Sequence, residues 1–134
     1  MTIRGVRGAT TIETDHPDQV LSATREMLGA ILVANHSMQI EDIASVFFTV
    51  TDDIVSAYPA LAARQIGWDQ VPMMCAREIP VPGSLPCCIR VLVHWNTDTA
   101  QPDIHHIYLR EAVKLRPDLS QAGPQESFPR GESL

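Results

Sequence analysis

Lysine is nearly missing from this sequence: Lys114 stands alone, and the other nine of the ten basic residues are arginine. Sixteen acidic residues outnumber them and give a formal net charge of −6. That is the wrong sign for a surface that grips a phosphate backbone, so nucleic acid is not an expected partner. No apolar run approaches the roughly 18 residues of a membrane span, and the start MTIRGVRGATTIE lacks the apolar stretch of a signal peptide. No membrane partner is expected, and the expected compartment is the cytoplasm. Cysteine is scarce: Cys75, Cys87 and Cys88 are odd in number, and the adjacent pair has no zinc-site spacing, so reduced thiols are expected. P-loop, GxGxxG, GxSxG, HExxH and paired CxxC motifs are all missing. The neighbours His105 and His106 would point to opposite faces of a strand and cannot ligate one metal together.

What is there suits one domain. The chain has 134 residues, 45% hydrophobic and 19% charged, enough apolar material for a single core and too little charge for disorder. Residues 2–11 alternate as a strand, with Ile3, Gly5, Arg7 and Ala9 on one face and Arg4, Val6, Gly8 and Thr10 on the other. Pro17 opens a helix whose apolar residues Val20, Met27 and Ile31, with Leu21, Leu28 and Leu32, recur at helical steps to about Asn35. A helical turn near 40–44 precedes a strand over 45–50 that stops at Asp52-Asp53. A short helix over 59–66 ends at Gly67, and a third strand over 71–78 runs into a proline-rich loop.

The clearest strand covers 87–97, with Ile89, Val91, Val93 and Trp95 facing one way and Cys88, Arg90, Leu92 and His94 the other. A fifth strand over 105–109 and a turn of helix through Leu115 follow. The order β-α-β-α-β-β-β predicts an α+β fold, a mixed β-sheet packed with helices. The domain is read as residues 1–116, and residues 117–134, proline-rich and without periodicity, as a mobile tail.

The arginines on ordered elements, Arg7, Arg64, Arg90 and Arg116, stand out. An arginine inside a cleanly alternating strand is costly to bury unless a carboxylate meets it, and Glu78 is available to do so. Together with Tyr108 they fit a pocket for a small, multiply anionic ligand, because the guanidinium fork matches carboxylates. The codon bias of a GC-rich genome would also enrich arginine.

The blocks IRGVRGATT, CAREI with PCCIRVLVHWNTD, and HHIYLREAVKLRPDL resemble the AroH-class monofunctional chorismate mutases, in register from about residue 2 to residue 120. The resemblance implies an isomerase that turns chorismate into prephenate on the way to phenylalanine and tyrosine. It also implies a homotrimer forming a pseudo α/β-barrel, with each site at a subunit interface, and no cofactor or metal. Carried over position by position, the reaction-centre arginine is Arg90 and the first-strand arginine is Arg7. The glutamate for the ring hydroxyl is Glu78, with Cys75 beside it, and Tyr108 reaches the side-chain carboxylate. Tyr58, Ala60 and Arg64 match the bordering helix, Met73 and Met74 the floor, and Leu115 and Arg116 the outer wall. Tyr58 stands where the family often has phenylalanine, and Leu61 where some members carry lysine. Between Arg64 and Trp68 the chain is one residue shorter than in some relatives. Cys75 and Glu78 have opposite parity, so both can face one ligand only if the strand ends or bulges between them.

The chemistry implied is a pericyclic shift, in which an ether C–O bond breaks as a C–C bond forms. Holding the reactive geometry and stabilising charge on the ether oxygen suffices, without a nucleophile. Two further readings suit an arginine-lined interface pocket: a trimeric enamine or imine deaminase of the RidA type, and a regulatory trimer that binds a small anion.

Overall fold

The computed structural model describes residues 2–115. Five strands form one sheet: β1 (Thr2–Thr11), β2 (Ile43–Val50), β3 (Met73–Arg77), β4 (Cys88–Thr97) and β5 (Ile107–Tyr108), in the order β3-β2-β4-β1-β5. β4 lies at the centre, antiparallel to β1 from Thr2↔Thr97 to Thr11↔Cys88 and antiparallel to β2. The outer pairs β2–β3 and β1–β5 are parallel. Two helices, α1 (Pro17–Ala34) and α2 (Pro59–Gln65), complete the mixed α+β architecture expected from the sequence.

α1 starts where the sequence places a proline at its first turn, and the His16 ring accepts the Asp18 N–H at 3.2 Å. Its buried stripe, Val20, Ala23, Thr24, Met27, Leu28 and Ile31, packs on Val6, Val91, Val93 and Trp95 of the sheet. Gly8 makes that approach close: a Cβ there would lie 3.0 Å from Ile31 Cδ1 and Val91 Cγ1. α2 contributes Ala60 and Ala63 to the same core. It stops in paired reverse bonds, Trp68 N–H to Ala63 O and Gly67 N–H to Arg64 O, with Gly67 at φ +100° as the sequence anticipates. No helix among the described residues is long and apolar enough to cross a membrane.

Three strands depart most from the sequence reading. β2 begins at Ile43 rather than Ser45, because Ile43 pairs with Trp95 across an irregularity that leaves Ala44 exposed. β3 is shorter than 71–78 and starts at Met73. β5 shrinks to two residues because Asn35, at the end of α1, takes both backbone groups of His105: its Oδ1 accepts the His105 N–H and its Nδ2 donates to the His105 carbonyl, each at 2.9 Å.

Both helices cover one face of the sheet. Among the described residues, the other face is covered at one end, where Ala112 and Leu115 of the 3₁₀ turn Arg110–Leu115 pack on Ala9, Cys88 and Tyr108. Elsewhere on it large apolar side chains meet solvent: Ile3 is 57% exposed, Phe47 40% and Met74 63%.

Candidate active site

Strand register decides which side chains meet. Tyr108 lies beside Ala9, Ala9 opposite Arg90, Arg90 opposite Thr49, and Thr49 beside Ala76. This row crosses the open face. The next row holds Arg7, Leu92, Phe47 and Met74. Two arginines therefore stand in adjacent rows, with the small Ala9 on one side of Arg90 and Thr49 on the other.

Glu78 completes the group. Although β3 ends at Arg77, the chain stays in register, and the Glu78 N–H donates to the Val50 carbonyl at 2.9 Å. Its side chain therefore shares the face of Met74 and Ala76 and reaches Arg90, with Nε 3.5 Å from Oε2. The Thr49 hydroxyl donates a short hydrogen bond to the same oxygen. Both charged side chains are about three-quarters buried, where an unmatched guanidinium would be costly. Glu78 balances Arg90 and still has a second oxygen, which can accept from a ligand hydroxyl.

Cys88, two residues before Arg90 on the same face, is buried. Burial pushes its thiol pKa up, which outweighs the downward pull of the neighbouring, hydrogen-bonded Arg90, so the group stays a neutral thiol. The start of β4 is fixed by a hydrogen-bonded turn. The Cys87 N–H donates to both Asp53 carboxylate oxygens (3.0 and 3.2 Å), and the Cys88 N–H donates to Thr51 Oγ1 at 3.0 Å. These bonds hold Cys87 at φ +51°, a conformation disfavoured for residues other than glycine. Burial raises the Asp53 pKa, but the bonds from Thr51 and Cys87 prevail and leave it lowered.

Arg7, Glu78, Arg90 and Tyr108, with Met74, share the open face, and Leu115 packs beside Tyr108. The other sequence-derived candidates lie elsewhere. Met73 and Cys75 pair with Val46 and Phe48 and pack against the helix-side core. Ala60 is buried there, while Tyr58 and Arg64 are exposed around α2. The expectation that Cys75 stands beside Glu78 is thus corrected within one chain. The strand neither bulges nor turns between them, and parity sends the two side chains to opposite faces. Arg116 lies outside the described residues.

Sequence reasoning missed Thr49 as the anchor of Glu78. No motif marks it, and only the β2–β4 and β2–β3 registers bring it to Arg90 and Glu78. The thiol of Cys88 against Arg90 was legible from alternation alone.

A groove of about 1020 Å³ runs between the start of α1, the start of β4 and residues 110–115, and none of Arg7, Glu78, Arg90 or Tyr108 lines it. A smaller one of about 240 Å³ is lined by Glu78 with Thr51, Asp53, Pro80 and Leu85. Neither arginine lines either groove.

Two cations, a carboxylate acceptor and a tyrosine on one wall can fix and polarise a small anion that carries a hydroxyl group. Known proteins match this reading. The family described as chorismate mutase type I covers residues 3–119. The chain is 58% identical over 120 residues to chorismate mutase AroH of Thermus thermophilus, spanning 90% of this chain and 98% of that protein. It is 43% identical to chorismate mutase AroH of Bacillus subtilis, over 90% of this chain and 94% of that one. A solved chorismate mutase from Clostridium thermocellum superposes with a TM-score of 0.81 at 44% identity, covering 83% of this chain and 98% of its own. Neither the deaminase nor the regulatory-module reading finds support among these relatives. The chain belongs to the type I chorismate mutase family.

Proposed function

We propose that this chain isomerises chorismate to prephenate, a step of phenylalanine and tyrosine biosynthesis in the cytoplasm, at sites shared between adjacent copies of a homotrimer. The observation that carries the reading is the Arg90–Glu78–Thr49 group on the open face, beside Arg7 and Tyr108, in a chain 58% identical to a named chorismate mutase.

The reaction breaks an ether C–O bond and forms a C–C bond within one molecule. Negative charge builds on the ether oxygen as that bond lengthens. Arg90 donates to this oxygen and to the side-chain carboxylate, a contact strongest at the transition state. Arg7 and Tyr108 hold the same carboxylate and with it the folded conformation in which the carbon termini meet. Glu78 accepts from the ring hydroxyl and is kept in place by Thr49 and Arg90. The ring carboxylate lies toward the mouth, near Arg64.

Two features support the shared site. The apolar open face, with Ile3, Phe47 and Met74 exposed, is what a second copy would bury. The candidate residues also divide by face: Arg7, Glu78, Arg90 and Tyr108 on one, and Tyr58, Ala60, Arg64, Met73 and Cys75 toward the other. One chain cannot wrap both sets around one small ligand. Two chains can, with the α2–β3 edge of one copy closing over the arginine face of the next. In that arrangement Cys75 and Glu78 meet the same hydroxyl from different chains. Light scattering should give about three times the subunit mass of 14.8 kDa; a fully active monomer would overturn the shared site.

Arg90→Lys keeps the charge and loses the fork. Turnover, followed as loss of chorismate absorbance with appearance of prephenate, should fall by at least about 10²-fold with the fold and assembly intact. Near-normal turnover would remove Arg90 from the mechanism.

A further inference from the structure

Tyr108 is carried by the shortest strand of the sheet. β5 has two residues, lies at the sheet edge and pairs with β1 through Gly8↔Ile107 and Ala9↔Tyr108. The Leu109 N–H adds a bond to the Ala9 carbonyl at 3.0 Å. So short a pairing holds little by itself. α1 grips the same segment at both ends. At one end stands Asn35, which is buried. Its Oδ1 accepts the His105 N–H and its Nδ2 donates to the His105 carbonyl, each at 2.9 Å, and Nδ2 also donates to the Ile31 carbonyl at 2.9 Å. Three bonds fix the amide in one orientation, because a flipped amide would set its oxygen against two carbonyls. At the other end Arg110 sits at φ +55°, a conformation disfavoured for residues other than glycine, with Nε and Nη2 on Glu26 Oε1 at 3.2 and 3.0 Å. The two grips differ in strength. The Glu26–Arg110 pair is half-exposed and screened by solvent, whereas loss of the buried amide would leave backbone groups of His105 and Ile31 without that partner.

We propose that Asn35 is a positioning residue for the mutase reaction: it holds the backbone of His105 and thereby sets where Tyr108 places its hydroxyl against the substrate carboxylate. The inference rests on the role given to Tyr108 above. The side-chain bonds of Asn35 go to the backbone of Ile31 and His105, so it acts on the ligand through Tyr108. With that end released, the two ladder pairs are left to hold the register of β5, and a tilt there displaces the hydroxyl. Productive geometry tolerates a misplacement of only about 0.5 Å.

Asn35→Ala removes the grip. For each folded molecule kcat/KM should fall about fivefold, the scale of one hydrogen bond. The loss should lie mostly in KM, because ground state and transition state both carry the carboxylate that Tyr108 holds. A double-mutant cycle with Tyr108→Phe separates positioning from plain stabilisation. Where the phenol hydroxyl is already gone, Asn35→Ala should change kcat/KM by less than about twofold. The chain has two tyrosines, Tyr58 and Tyr108, so carbon-13 at tyrosine Cζ gives a readout free of activity, with the signals assigned through Tyr58→Phe. The Tyr108 signal should shift or broaden in Asn35→Ala. Where the alanine variant does not fold, Asn35→Asp keeps the shape and the acceptor for the His105 N–H, loses the donor, and should give the same pattern in the same cycle.

Equal losses in the wild-type and Tyr108→Phe backgrounds overturn the proposal. So does a variant that melts lower yet keeps kcat, KM and the Tyr108 signal, which would make Asn35 purely structural. If Tyr108→Phe is silent while Arg90→Lys is not, the role of Tyr108 and this inference fall together and the mutase reading stands. If both are silent, the reading of the site itself fails.

Discussion

Phe47 and Phe48 are neighbours in the chain and belong to different chemistries. Phe48 is fully buried under the helices, whereas Phe47 is 40% exposed on the open face, its ring edge-on to His94. The same contrast runs across the sheet. Behind it lie Val6, Val46, Ile89, Val91, Val93 and Trp95, closed off by α1 and α2. In front lie arginines, a glutamate, a threonine, a thiol and exposed apolar side chains. A closed core makes the subunit stable by removing apolar area from water. The front face pairs Arg90, Glu78 and Thr49 with one another and leaves apolar side chains such as Phe47 and Met74 in solvent. Strand alternation lets one sheet do both, since successive residues serve different masters without compromise.

Truncating the two phenylalanines breaks this comparison most directly. Phe48→Ala should cost about 3–5 kcal/mol through lost burial and a cavity, seen as a large drop in the denaturation midpoint. Phe47→Ala should leave subunit folding within about 1 kcal/mol and instead weaken self-association, seen as a concentration-dependent mass in light scattering. Equal losses of folding stability would mean that the front face is core after all.

A smaller effect is expected from Thr49→Val, which keeps shape and removes the donor to Glu78. Activity should fall about tenfold, on the scale of one charge-assisted hydrogen bond, while the melting temperature moves little. A matching loss of stability, with activity per folded molecule unchanged, would make Thr49 structural.

The smallest effect concerns acid. Asp15 is lowered from its ordinary value of 3.8, first by the Ser56 hydroxyl bond and next by the Val55 N–H. Its stabilising contribution is complete above that ordinary value and disappears as pH falls through the lower folded-state value. Asp15→Asn should therefore reduce the steepness of acid unfolding below about pH 4 and change the midpoint at pH 7 only slightly, because the group is half-exposed and solvent screens it. An unaltered acid slope would show that the Asp15 bonds do not survive in solution.

Much of the architecture was legible because it is local. The helical steps of Val20, Met27 and Ile31, the proline at the start of α1 and Gly67 at the end of α2 act within a few residues of themselves. The alternation of 88–97 assigned Arg90 and Cys88 to one face without reference to any other strand. His105 and His106, expected on opposite faces, differ in burial: His105 is exposed and His106 half-buried. The length of β5 was not legible, because Asn35, some 70 positions away, removes His105 from the ladder.

What the sequence determined by itself was the α+β class, the faces of its strands and, by resemblance, the family and its reaction-centre candidates. Tertiary structure alone decided that Thr49 anchors Glu78, that Cys75 and Glu78 part company across the sheet, and that Asn35 grips the backbone of His105. The physical reason is register: alternation tells which way a side chain points, but which strand lies beside it depends on pairings between residues tens of positions apart.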